Sequence, residues 1–264
     1  MKRTILAAAV AAGLALSNTA SAITVDGITI NAGDFLQIGT VWEGTLASNG
    51  TLTVQNTGDE LVGVGVVDTI KDANGNVVWA SGDNGAYLAF YFDSYITEAI
   101  NTLTANPVPI NILFTGGEAH FYSLTSAFTP TGDYTADVAT ITGAGSLWMD
   151  TVAGTSRTCT AADACVDGVG TPVTLESFIL SGDLGNVGTG TGSGFLNVTG
   201  AGAVDSYLNT NGLVGGNDMI LTSSFTSETA TAGYAASGSI DIRGTLAVPE
   251  PASLSLLGIG LAGL

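Results

Sequence analysis

The stretch Leu61-Val62-Gly63-Val64-Gly65-Val66-Val67 decides the fold. Valine at alternate positions has the period of a strand, whose successive side chains point to opposite faces. The intervening glycines leave one face nearly bare, so another backbone is expected to approach it closely. Downstream, Ala86-Tyr-Leu-Ala-Phe-Tyr-Phe92 is the most apolar run beyond the N-terminal leader and reads as a central strand. Between them, Asn74-Gly75 marks a turn and Val77-Val78-Trp79 resumes the strand pattern.

The same reading extends along the chain. Residues 23–30 form a strand around Asp26-Gly27, in the manner of a hairpin, and 35–42 and 51–55 are strands parted by Ser48-Asn49-Gly50. Further strands are expected at 110–114, 119–124, 136–141, 146–149, 173–180, 194–198, 219–225 and 237–246. One helix is expected over 94–105, capped by Ser94, striped by Ile96, Ile100 and Leu103, and ended by Asn106-Pro-Val-Pro109. The region 182–194, with its Gly188-Thr-Gly-Thr-Gly-Ser-Gly194 run, reads as a flexible loop. It has no lysine to serve a phosphate. The fold class expected is mainly β, an antiparallel, sandwich-like or irregular domain over residues 23–246.

Composition narrows the function. The formal charge is −18, and −20 once Lys2 and Arg3 are removed with the leader, leaving Lys71, Arg157 and Arg243 as the basic residues. Such a chain repels phosphate backbones, so no nucleic-acid partner is expected. Only 11% of residues are charged, so Thr, Ser, Asn and Gly supply most of the polar surface, as suits a half-buried sheet and its turns. Cys159 and Cys165 are close in sequence, and in an oxidising compartment they most simply form one disulfide.

No complete catalytic motif is present, and no enzyme activity is expected. His120 is the single histidine. Glu118 lies two residues before it, on the same strand face, but with no nucleophile or third ligand nearby in sequence the pair reads as a surface feature and not a metal site. Asp68, Asp72, Asn74 and Asn76 resemble a fragment of a calcium loop, yet Gly75 is misplaced and no twelfth-position glutamate follows. An Asn-Gly turn explains the same residues, so no cofactor is expected beyond a possible structural calcium. Trp42, Trp79, Trp148, Tyr87, Tyr91 and Tyr122 are read first as core aromatics and second as a sugar-stacking platform. A glycan-active enzyme would need two close carboxylates in a cleft.

Both termini carry addresses. Met1-Lys2-Arg3, an apolar core from Ile5 to Leu16 and Ala20-Ser21-Ala22 form a secretory signal peptide over residues 1–22, cleaved after Ala22. At the other end, residues 247–264 hold Val248-Pro249-Glu250-Pro251 and an apolar Gly/Leu-rich run to Leu264. As a helix its last 13 residues rise about 20 Å, short of the roughly 30 Å hydrocarbon core.

This tail resembles the sorting segment of PEP-CTERM proteins: Pro-Glu-Pro, then an apolar helix, then an arginine cluster. The first two parts are present; the third is absent, from which the sequence is expected to stop short of it. The resemblance implies a Gram-negative source, export to the surface or matrix, transient membrane anchoring and an exosortase partner. Phe35-x-x-Ile-Gly-Thr-Val-Trp-Glu-Gly44, Phe195-Leu-Asn-Val-Thr-Gly200, Tyr207-Leu-Asn-Thr-Asn211, Gly215-Gly216-Asn-Asp218-Met-Ile-Leu-Thr-Ser-Ser-Phe225 and Gly238-Ser-Ile-Asp-Ile-Arg-Gly244 are similar to the flocculation-associated members. Those imply a matrix protein that helps cells aggregate with exopolysaccharide. Mass spectrometry of the C-terminal peptide from the native host should find cleavage near Pro249-Glu250-Pro251 that vanishes when the exosortase is deleted; an intact Leu264 terminus in both strains would refute the resemblance.

Overall fold

The structure, a computed structural model, describes residues 22–46, 53–102, 109–228 and 233–247. The segments holding Ala20 and the sorting motif Val248, Pro249, Glu250 and Pro251 lie outside them; Ala22 immediately precedes the first strand. The strands are β1 (Ile23–Val25), β2 (Ile28–Ile30), β3 (Gly33–Thr45), β4 (Glu60–Asp72), β5 (Val77–Ala80), β6 (Tyr87–Thr102), β7 (Ile110–Leu124), β8 (Ser146–Gly154), β9 (Arg157–Thr158), β10 (Pro172–Val173), β11 (Leu175–Gly182), β12 (Val187–Val198), β13 (Met219–Ser227) and β14 (Ala236–Leu246). The longest helix, α1, spans Tyr134–Ala144.

These strands make a closed antiparallel barrel, not a sandwich. Neighbours follow chain order from β3 around to β14, which pairs back to β3. Closure comes at β7. Its first half pairs with β11, Phe114 opposite Leu175 and Ile110 opposite Ile179, and its second half pairs with β8, His120 opposite Asp150. On the far side β12 divides in the same way, Gly194 facing Leu175 of β11 and Phe195 facing Gly154 of β8. β8 and β11 are thus two collinear halves of one stave, and β5 with β6 make another along β4. Ten strands therefore supply eight staves. A wall of that number encloses just enough space for side chains or one small ligand.

Burial alternates along the staves, with apolar residues turned inward. Phe35 and Val41 of β3, Phe90 and Phe92 of β6, Phe121 of β7 and Ile240 of β14 fill the interior. Outside, β12 to β14 expose Thr189, Thr191, Ser193, Thr222, Ser224, Ser239 and Thr245. Over these three strands the wall is apolar within and mostly hydroxylated without, the inverse of a lipid-facing wall. No helix among the described residues is long and apolar enough to cross a membrane. The β1–β2 hairpin turns on Asp26 and Gly27 at φ 52° and 80°, the left-handed pair that a two-residue hairpin needs. It joins the core through Ile28 and Ile30, and Val25 accepts a hydrogen bond from the Trp148 indole at 3.3 Å.

Four local expectations are overturned. Residues 94–102 extend β6 and are not helical, because cross-strand pairing with β7 recruits them; Ser94, expected as a cap, instead sits in a bulge at φ 60°. The helix lies where a strand was expected, at Tyr134–Ala144. Asp133 caps it by accepting from the Ala136 amide at 3.1 Å, and Thr140 and Thr142 donate back to the Ala136 and Val138 carbonyls, which accommodates their branched side chains. Its Ile141 packs over Val64, Ala89 and Leu124 on the barrel's outer wall. The glycine-rich run expected as a loop is the strand β12. Within the expected strand at 51–55, residues 53–55 are not in a strand.

The bare strand face is filled by aromatic rings and not, as expected, by another backbone. Gly63 and Gly65 turn inward, and a Cβ there would meet the rings of Phe92 and Phe90 at 2.5 and 2.2 Å. Gly190 of β12 repeats the device against the Phe225 ring, at 2.1 Å. Gly190→Ala should therefore lower stability by about 1–3 kcal/mol, the usual cost of overpacking, while Thr191→Ala on the outer face should change it little. Denaturant unfolding of the two variants checks this.

Candidate functional site

Three places carry chemistry. The first is on the outer wall across β6, β7 and β8. Asp93 stands opposite Glu118, and His120, two residues on, stands opposite Tyr91 and Asp150. Strand irregularities aim these groups: the Ser94 bulge follows Asp93, while Gly116 and Gly117, both at positive φ, precede Glu118. His120 Nδ1 lies 2.5 Å from Asp150 Oδ1, and Nε2 faces Glu118 Oε2 at 3.4 Å. Thr199 donates to the other Asp150 oxygen. Asp93 accepts from the Ser94 hydroxyl at 3.0 Å and from the Tyr134 hydroxyl at 3.2 Å. The Tyr91 ring lies over the imidazole, centroids 4.7 Å apart, with Tyr122 beyond it.

Sequence spacing showed the Glu118–His120 pair but not its neighbours. Asp93 and Asp150 come from strands some 25 and 30 residues away, and only the register supplies them. The expectation that no third ligand lies nearby is therefore corrected: ligand atoms of Asp93, Glu118 and His120 lie within 4.8 Å of one another. Burial first, and then nearby negative charge including Asp93, pushes the Tyr91 and Tyr134 hydroxyls well above the ordinary phenol range, so both remain protonated donors at neutral pH. Glu118, with 49% of its side chain exposed, stands on the open wall and not in a cleft. No serine, threonine or cysteine side chain hydrogen-bonds His120 among the described residues.

The second place is a groove of about 430 Å³ on the outer wall. Lys71, Leu36 and Arg243 stand side by side on β4, β3 and β14, with Ile220 next on β13. Adjacent strands lie about 4.8 Å apart, which sets the two cationic residues roughly 10 Å apart at the backbone. Asp34 and Asp72 also line the groove. Of the three basic residues described, Arg157 is held by Asp163 and Glu176, at 2.8 and 3.1 Å, whereas Lys71 and Arg243 have no ion pair among the described residues. The calcium-like fragment adjoins this groove, but Asp72 is committed to its own turn. It accepts from the Asn74 and Asn76 amides and the Asn76 side chain, and these bonds hold its carboxyl below the usual range.

The third place is the barrel interior. Two small cavities, of about 50 and 40 Å³, share Glu43, Leu61, Ser177 and Phe225 in their linings. Glu43 is the one charged side chain facing them, and its carboxyl has no partner among the described residues. Lower on β3, buried Gln37 leaves both amide atoms without a hydrogen bond.

The remaining sequence sites divide plainly. Cys159 and Cys165 form the expected disulfide, which staples the 155–174 excursion between β8 and β11. Buried Cys159 packs with Ala99, Leu113 and Val173. Trp79 and Trp148 are core residues, exposed by 1% and 0%, and Trp42 is half-buried, so the three make no exposed stacking platform.

Burial raises the Glu43 carboxyl from 4.5 to about 7. A carboxyl that holds its proton longer in the folded state than in the unfolded one makes stability fall as pH rises, here from about pH 4.5 to pH 7, by about 3 kcal/mol in all. Glu43→Gln should flatten that slope and be the more stable protein above pH 7, as read by urea unfolding across the range. Comparison with protein-family models, with curated proteins and with solved structures finds no match to this chain.

Proposed function

We propose that the chain is a secreted surface or matrix protein, sorted through its Pro-Glu-Pro tail, whose barrel is a non-catalytic module that holds exopolysaccharide and so supports cell aggregation. The observation that carries this reading is the groove. In a chain of net charge −20 outside its leader, the only described cations free of ion pairs, Lys71 and Arg243, flank Leu36, with Ile220 on the far side of Arg243. A pyranose offers an apolar face and a rim of hydroxyls. Leu36 and Ile220 suit the face, the Asp34 oxygen not taken by the Thr245 hydroxyl accepts from a sugar hydroxyl, and the two cations donate to ring substituents. A uronate in the repeat would engage those cations as charge-assisted bonds. Elsewhere the acidic, hydroxylated wall repels an acidic polymer, which confines it to the groove.

The absence of catalysis fits the same features. His120 has carboxylates at both ring nitrogens, and the close carboxylates Asp93 and Glu118 stand on a convex wall. A barrel with its long excursion stapled by a disulfide suits a durable structural part. Hydrogen bonds to charged groups contribute about 1.5–3 kcal/mol, so Lys71→Ala and Arg243→Ala should each weaken binding to exopolysaccharide from the native host about tenfold or more. The double variant should lose binding that 1 M salt also weakens in the parent. Binding equal to the parent by the double variant would overturn the groove, and flocs undiminished after gene deletion would overturn the role in aggregation.

A further inference from the structure

We propose that Asp93, Glu118 and His120 form a binding site for a divalent transition ion of the zinc type. This does not depend on the groove or on any role in aggregation. Three observations carry it. First, the imidazole is bracketed by anions. Asp150 lies 2.5 Å from Nδ1, and Glu118 lies 3.4 Å from Nε2. A ring that donates from Nδ1 to Asp150 turns Nε2 toward Glu118 and Asp93, and two carboxylates facing that nitrogen call for a positive charge between them, which either a second ring proton or a metal ion supplies. Second, the spacing suits an ion. With bonds of about 2.0–2.1 Å, two ligand atoms on a tetrahedral ion lie about 3.4 Å apart, and the Nε2–Glu118 distance is 3.4 Å. The Asp93 oxygen is within 4.8 Å of both.

Third, the surroundings already orient the ligands. Metal-binding histidines almost always give their second ring proton to a carboxylate or carbonyl. Here Asp150 takes that part and is itself held by the Thr199 hydroxyl. The Tyr91 ring fixes the imidazole plane, and the Ser94 and Tyr134 hydroxyls fix Asp93. No arginine or lysine joins an ion pair with any of these carboxylates among the described residues. An imidazole ligand selects zinc, copper or nickel over calcium, whose ligands are oxygens. Half-exposed Glu118 leaves the ion open to solvent on one side. Asp150 is a positioning residue in this arrangement and not a ligand.

The test uses the full chain, purified without a polyhistidine tag, titrated with Zn²⁺ by calorimetry with Ca²⁺ in parallel. Because His120 is the only histidine, its two ring nitrogens give one readable pair of ¹⁵N signals. One Zn²⁺ per chain is expected, with the Nε2 signal shifting and Nδ1 keeping its proton. His120→Ala and Glu118→Gln should each lower affinity at least tenfold, and Asp150→Asn about 10–100-fold with a disturbed Nδ1 signal. Ring signals indifferent to Zn²⁺ in the parent protein would overturn the site whatever the variants do. So would equal affinity for Ca²⁺, or binding unchanged by His120→Ala, since either marks a diffuse acidic surface.

Discussion

Everything in this molecule depends on how the barrel shuts. β7 is too long for either partner alone: β11 satisfies its first half and β8 its second. Between Gly154 and Leu175 the chain leaves the wall and returns in line, so the ladder beside β12 resumes directly from one half-stave to the other. Without that shared stave β7 and β12 would each present a free edge, the usual template for aggregation. Closure also sets the registers that bring Asp93, Glu118, His120 and Asp150 into one band of the wall.

The interior follows from closure. Eight staves leave little internal width, and large side chains on every inward position would not fit. The molecule resolves this by setting glycines on β4 and β12 against phenylalanines on β6 and β13. Where the fit leaves small voids, Glu43 sits with no partner among the described residues. A half-buried carboxyl among apolar neighbours is uncharged more readily than one in water, which makes the core's stability sensitive to pH.

Much of the wall was legible from period alone. The alternation at 61–67, the apolar run at 86–92 and the turns at Asp26-Gly27 and Asn74-Gly75 have local causes, and local patterns record them. The exchange of helix and strand shows the boundary of that reading. Residues 94–102 carry a helical stripe yet pair with β7, and the Thr-rich 134–144 segment forms a helix because Asp133 caps it and the outer wall offers Val64, Ala89 and Leu124. Both outcomes come from partners distant in sequence. In the same way Glu118 and His120 were visible as a pair two residues apart, whereas Asp93 and Asp150 became neighbours only through register. The groove cations, Lys71 and Arg243, gave no local signal at all, since 172 positions separate them.

The shared stave has a further consequence, for how this protein tolerates change in length. The excursion departs and re-enters at adjoining points of a single ladder line, tied by its own disulfide and by Arg157 to Asp163 and Glu176. Val166 and Asp167 are bonded to Glu98 of β6 and Gly170 and Thr171 to Cys159, so only the exposed turn at Val169 can gain residues while the strand count, the registers and the interior stay as they are. The barrel thus has, in the middle of one wall element, a site where new surface can accumulate without the fold having to be solved again.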